Sequence, residues 1–161
     1  MANVPIGKIV FEAMTSVRSF AKAIEIIEKY GGTIDDVIAV LNFAVVECAE
    51  RLQNTPSAKG YENTNVRAII RMGNVIKIVD IDLEQFAEDV KDALTSRDFV
   101  CVATSTEKTV VVLTNVDIDL EKIDRIAKDF RSMAELVKIF AERDSVCTLA
   151  WSAVSCIPIT F

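Results

Sequence analysis

The hexapeptide VDIDLE occurs twice, at Val79–Glu84 and at Val116–Glu121, 37 residues apart. Before each copy stands a short run rich in Val and Ile. After each copy the apolar residues recur at three- and four-residue steps: Leu83, Phe86, Ala87, Val90 and Leu94 after the first, and Leu120, Ile123, Ala127, Phe130, Ala134, Val137 and Ala141 after the second. Period two followed by period 3.6 marks a strand running into a helix. At the same offset Val75 matches Val112, and Lys91-Asp92 matches Lys128-Asp129. A strand-to-helix junction used twice at a fixed distance is what the two pseudo-symmetric halves of a split β-α-β fold would carry.

The other elements are read from the same signals. Residues 8–30 carry a helical stripe of Val10, Ala13, Met14, Val17, Phe20, Ala21, Ile24 and Ile27, stopped by Gly31-Gly32. Thr33 opens a second helix to about Gln53, with Asp36 placed for a capping box. That helix, through VIAVLNFAVVECA, is apolar nearly all round and so asks for partners on several sides. Asn42 interrupts it, either as a buried amide bonded to backbone or as a polar residue fixing a helix-helix register. A polar stretch with Pro56 and Gly60 follows. Two β-rich runs then flank Gly73-Asn74, a hairpin signal. Two more strands, Phe99–Thr104 and Thr109–Val116, turn at Ser105–Lys108, and a strand-like run with Trp151 at its middle ends the sequence, with Pro158 suited to a strand end.

The order is α-α-β-β-α-β-β-α-β. With the two leading helices and the first short strand set aside, β-α-β-β-α-β remains. The expectation is therefore an α+β chain: a helical hairpin over 1–54, a linker over 55–65, and a ferredoxin-like βαββαβ sandwich over 66–161, its antiparallel sheet carrying two helices on one face.

The carboxylates of the repeat admit two readings. Asp80 with Asp82, and Asp117 with Asp119, could ligate a divalent cation, since residues two apart on a strand share a face. The motif has none of the further oxygen ligands or the central glycine of a calcium loop. The structural reading accounts for every residue. Asp82 and Asp119 are N-caps, Gln85 completes a box behind the first, and Glu84 and Glu121 lie in first turns where the helix dipole favours negative charge. Capping is the stronger reading, and no cofactor is assigned.

Composition narrows the chemistry. Histidine is absent, which removes the commonest general base and the Ser-His and Cys-His designs, so no catalytic residue is assigned. The four cysteines, Cys48, Cys101, Cys147 and Cys156, form no C-x-x-C pair and sit in apolar runs, which reads as buried thiols. The net charge of −6 is spread evenly along the chain, which argues against nucleic acid as a partner. Lys122, Arg125, Lys128 and Arg131 step along the last helix but alternate with Glu121, Asp124 and Asp129, as on a solvated face. Arg67, Arg71 and Lys77 decorate the first hairpin, whose strands lack the stacking aromatics of sheet-face RNA binders. Neither a leader nor an apolar run of membrane-spanning length is present, so the expected location is the cytoplasm.

These observations favour a non-catalytic protein-interaction or assembly subunit, a homo-oligomer or part of a larger complex. Val40, Phe43 and Val46 of the over-apolar helix, with Trp151, Ile159 and Phe161 of the apolar C-terminal run, are its expected interface residues. At fold level the βαββαβ order also resembles the amino-acid-binding ACT type. That resemblance implies a regulatory domain sensing a small molecule, although VDIDLE stands where that type carries a glycine-containing loop. An accessory role in a nucleoprotein complex, through Arg125, Lys128 and Arg131, is the third expectation.

Overall fold

The structure, a computed structural model, describes Lys8 and residues 20–53, 65–104, 109–116, 146–150 and 159–160. Its helices are α1 (Phe20–Lys29), α2 (Ile34–Ala39), α3 (Leu41–Leu52) and α4 (Glu88–Thr95). Its strands are β1 (Val66–Met72), β2 (Val75–Ile81), β3 (Asp98–Thr104), β4 (Thr109–Thr114), β5 (Val146–Ala150) and β6 (Ile159–Thr160). The chain is thus a mixed α+β fold. The helix expected after the second VDIDLE, the turn at Ser105–Lys108 and the linker over 55–64 lie outside the described residues.

The helices end where glycine and backbone geometry require. Gly31, at φ +72°, donates to Glu28 O at 3.0 Å, and Gly32 donates to Ile27 O at 2.8 Å. This is the paired bonding of a left-handed helix stop. A Cβ at Gly32 would lie 2.5 Å from Ile27 Cγ2, so the next turn also depends on glycine. Beyond it the backbone N–H of Thr33 donates to Asp36 Oδ2 at 2.7 Å, which opens α2. The single helix expected from Thr33 to Gln53 is broken at Val40, which both ends α2 and starts α3. The break re-aims α3. Leu41, Ala44, Val45, Cys48, Ala49 and Leu52 form its buried stripe, while Asn42 and Phe43 face outward. Asn42 is therefore not a buried amide.

The six described strands run in the order β2-β1-β4-β3-β5-β6. The first four are antiparallel, β5 is parallel to β3, and β6 is antiparallel to β5. This is not the ferredoxin-like order. A split β-α-β unit needs the strands flanking its helix to be parallel with one strand between them. Here β2 and β3 flank α4, run in opposite directions, and have both β1 and β4 between them. The reason lies in β1, set aside in the sequence expectation as a short preliminary strand. Its seven residues place Val66, Ala68, Ile70 and Met72 in the core, and it takes the place beside β4.

One face of the sheet packs on the helices. Phe99, Cys101, Ala103, Val111 and Leu113 meet Ile24 and Ile27 of α1, Val37 of α2, Cys48 and Leu52 of α3 and Leu94 of α4 in one continuous cluster. The opposite face, with Ile69, Val100, Val102, Val110 and Val112, is buried as well. Burial on both faces explains why β4 reads TVVVLT with no alternation.

The sheet end is locked by polar groups. Asn115 Oδ1 accepts from Phe99 N at 3.1 Å, and its Nδ2 donates to Leu94 O and Arg97 O at 3.1 and 2.8 Å. Arg97 Nη1 donates to Leu52 O at 2.6 Å, closing the C-terminus of α3. The Thr114 hydroxyl donates to Phe99 O and accepts from Val116 N. At the other end the Thr109 hydroxyl donates to Glu28, tying β4 to α1.

Two of the cysteines expected as thiols are instead joined. Cys48 of α3 and Cys101 of β3 form a disulfide across the helix–sheet seam, with Cα atoms 6.4 Å apart and both residues fully buried. The bridge spans a sequence separation of 53, and the chain-entropy argument gives about 4 kcal/mol for a loop of that size. Denaturant unfolding with and without reductant should differ by up to about that amount. Superimposable curves, or four alkylatable thiols in the untreated protein, would reject the bridge.

Glu47, on the flank of α3, accepts from Phe20 N at 3.1 Å and from Arg51 Nη2 at 3.2 Å. Burial pushes its carboxyl above the ordinary value of 4.5, although both partners pull the other way. The folded chain therefore binds this proton more tightly than the unfolded chain. Ionising Glu47 weakens the fold as pH rises from about 4.5 through the raised folded value. In Glu47→Gln the stability difference, variant minus wild type, should grow across that window and level off above it. A difference independent of pH would contradict the assignment.

Candidate functional site

The first VDIDLE is built from the end of β2 and a single 3₁₀ turn, Leu83–Gln85, that precedes α4. Period two along the strand sends its residues to opposite faces. Val79 and Ile81 pack against the helix-side core, and Asp80 points the other way, exposed, with Arg67 Nε 3.2 Å from its Oδ1. Arg67 and Asp80 are cross-strand partners in the β1–β2 register, so this ion pair follows from the hairpin itself. Asp82 then leaves the strand and caps the turn, its Oδ1 accepting from Glu84 N at 3.0 Å.

Asp82 is a cap, as its position suggests, but it caps a different element. The box with Gln85 does not form, because the turn closes through Phe86 N to Leu83 O and α4 starts only at Glu88. Glu88 and Asp89 take the first-turn role in α4 that was expected of Glu84. Glu84 instead meets Lys91 across the turn at 3.5 Å, while Glu88 approaches the same ammonium at 3.2 Å. The hydrogen bond from Lys91 to Glu88, with the nearby Glu84 charge, holds that ammonium above its usual range.

These residues border an open cleft of about 400 Å³ between the end of β2 and α4, lined by Ile81, Asp82, Leu83, Glu84, Lys91, Asp92 and Thr95. Two of its three carboxylates are engaged separately, Asp82 by a backbone N–H and Glu84 by Lys91, and Asp92 is the third. Asp80 lies on the far side of the strand from this grouping, on the face it shares with Arg67. Among the described residues no three His, Cys, Asp or Glu side chains come together as a metal-binding group. Asp117 and Asp119 lie outside the described residues, as do Lys122, Arg125, Lys128 and Arg131.

The basic residues of the first hairpin are taken up locally. Arg71 is buried and its Nη1 donates to Gly73 O at 3.2 Å, and Lys77 reaches Asp35 of α2 at 2.8 Å.

The expected interface residues divide. Val40, 2 % exposed, belongs to the core because the chain breaks there and turns its side chain inward. Val46 is half-buried against the same core. Phe43 is 49 % exposed on the outer side of α3. Ile159 begins β6 and pairs with Thr148 of β5, while Trp151 and Phe161 lie outside the described residues.

The most exposed apolar surface was not anticipated. β2 is the outermost of the described strands, and its Val75 and Ile78 are 50 % and 42 % exposed. The signal was present: VIKIVDI carries apolar residues on both faces, as a central strand does, yet it occupies an edge. No protein-family model, curated protein or solved structure gives a significant match to the chain.

The capping role has a direct test. Asp82→Ala should lower stability by about 1 kcal/mol in denaturant titrations. Magnesium or calcium at millimolar concentration should leave the wild-type melting temperature unchanged; a rise abolished by Asp82→Asn would restore the metal reading.

Proposed function

We propose that the protein is a non-catalytic interaction or assembly subunit that works through oligomeric contacts, with a homo-oligomer as its simplest form. The observation that carries this reading is β2: seven residues long, free of proline, outermost among the described strands, with two large apolar side chains facing solvent. Sheet edges of this kind pair with other chains unless something blunts them. Phe43, exposed on α3, adds a second apolar contact point. The cleft beside Asp82 lends a small-molecule sensor little support, because it is open and carries several charged side chains where ligand pockets are enclosed and mostly apolar.

No helix among the described residues is long and apolar enough to cross a membrane.

Light scattering coupled to size exclusion tests the reading. The expected mass is at least twice that of one 17.8 kDa chain, falling towards it on dilution. A single-chain mass from about 1 μM to about 1 mM would overturn the homo-oligomeric form.

A further inference from the structure

Gly73 and Asn74 form a two-residue turn, so Met72 and Val75 flank it as a hydrogen-bonded pair. Hydrogen-bonded and non-hydrogen-bonded pairs then alternate along the hairpin. Val75, Lys77, Val79 and Ile81 direct their backbone groups to β1. Ile76, Ile78 and Asp80 direct their N–H and C=O groups away from it, to the side where no described strand lies.

Native edges are blunted by proline, bulges, short strands or an outward lysine. β6, at the other end of the sheet, is two residues long. β2 has no proline, no bulge and full length, and its charged residues are paired within the chain. Its register with β1 is continuous from Val66↔Ile81 to Met72↔Val75. Its one lysine, Lys77, is drawn to Asp35 on the helix side, and Asp80 is matched by Arg67 on its own hairpin.

Resting on the interaction reading above, we infer that β2 is the seam of a twofold dimer in which it pairs antiparallel with β2 of a second copy, centred on Ile78. The strand is complementary to itself in this register. Ile78 faces Ile78 of the second copy, Ile76 faces Asp80, Val75 faces Ile81, and Lys77 faces Val79. All three outward-pointing residues find partners. On the face away from the helices, the buried Ile69 and the half-exposed Ile78 of each copy line up as one apolar row of four, since Ile69 is the cross-strand neighbour of Ile78. Neighbouring registers are worse. Centring on Lys77 sets two ammonium groups face to face, and centring on Asp80 does the same with two carboxylates. The interface is isologous and closes on itself, so it terminates at a dimer with one continuous sheet.

Two measurements on the full chain test the seam. In wild-type hydrogen exchange at concentrations where scattering shows a dimer, the amides of Ile76, Ile78 and Asp80 should be as protected as those of Lys77 and Val79. Fast exchange at those three amides would overturn the proposal whatever any variant does. Ile78→Lys, which sets two lysines opposite each other at the centre, should weaken dimerisation roughly tenfold or more with the melting profile of the monomer retained. Ile76→Lys, which sets its lysine beside Asp80 of the other copy, should preserve or tighten it. A wild-type oligomer insensitive to Ile78→Lys would mean that another surface or another chain is bound. That result would sink this seam while leaving the interaction reading in place, whereas a wild-type monomer throughout would remove that reading itself.

Discussion

β3 and β4 carry apolar side chains on both faces, and the rest of the fold is arranged to cover them. Phe99, Cys101, Ala103, Val111 and Leu113 need the helices, and Val100, Val102, Val110 and Val112 need cover on the other side. A strand with these demands cannot stand at an edge, so β3 and β4 take the middle of the sheet and β1 and β5 close over their flanks. The same demand places α1 and α3 over the helix-side face, where Ile24, Ile27, Cys48 and Leu52 are fully buried. Burying the backbone so completely leaves polar groups at the sheet ends that water cannot reach. Asn115, Thr114 and Arg97 satisfy them in one cluster joining β3, β4, α3 and α4. The proposed seam follows from the same arrangement. With β3 and β4 central, the β1–β2 hairpin is carried to the outside, and an apolar strand becomes the rim.

Charge on that rim is handled by pairing rather than by repulsion. Asp80 faces Arg67 and Lys77 faces Asp35. Exposed pairs of this kind contribute little to stability. Their consequence is geometric: they hold charged groups to the faces of the sheet and leave the backbone edge of β2 uncharged. The carboxylates of VDIDLE, which invite a metal reading in the sequence, have separate partners. The repeated motif marks a place where a strand ends, and the described copy does so through a 3₁₀ turn rather than directly through a helix.

Much of the local structure was legible. The turn at Gly73-Asn74, the strands from Phe99 and Thr109, the stop at Gly31 and the opening at Thr33 all carry short-range chemistry that the structure keeps. What misled was long-range. The plait required β2 beside β4, but local patterning cannot tell which hairpin strand is the inner one. β1, with four core-facing side chains, outcompetes β2 for that place. The break at Val40 was hidden because the residues on both sides are good helix formers, and only packing shows that α2 and α3 point their stripes differently. The disulfide was hidden because Cys48 and Cys101 resemble any buried apolar residue until α3 is laid on β3.

The joining of β1 to β4 also bears on how the chain reaches this structure. Each hairpin closes over a few residues, but the partners from Met72↔Thr109 to Arg67↔Thr114 lie 37 to 47 residues apart. Bringing such distant segments together carries a larger loop-closure entropy than either hairpin and slows folding accordingly. The two hairpins are thus the fast steps and their docking the slow one. During that interval the β1–β2 hairpin has both strands without outer neighbours, so the strand that ends as a rim begins as half of a two-sided sticky ribbon. Newly made chains at high concentration therefore have a short period in which β1, and not only β2, is open to the wrong partner.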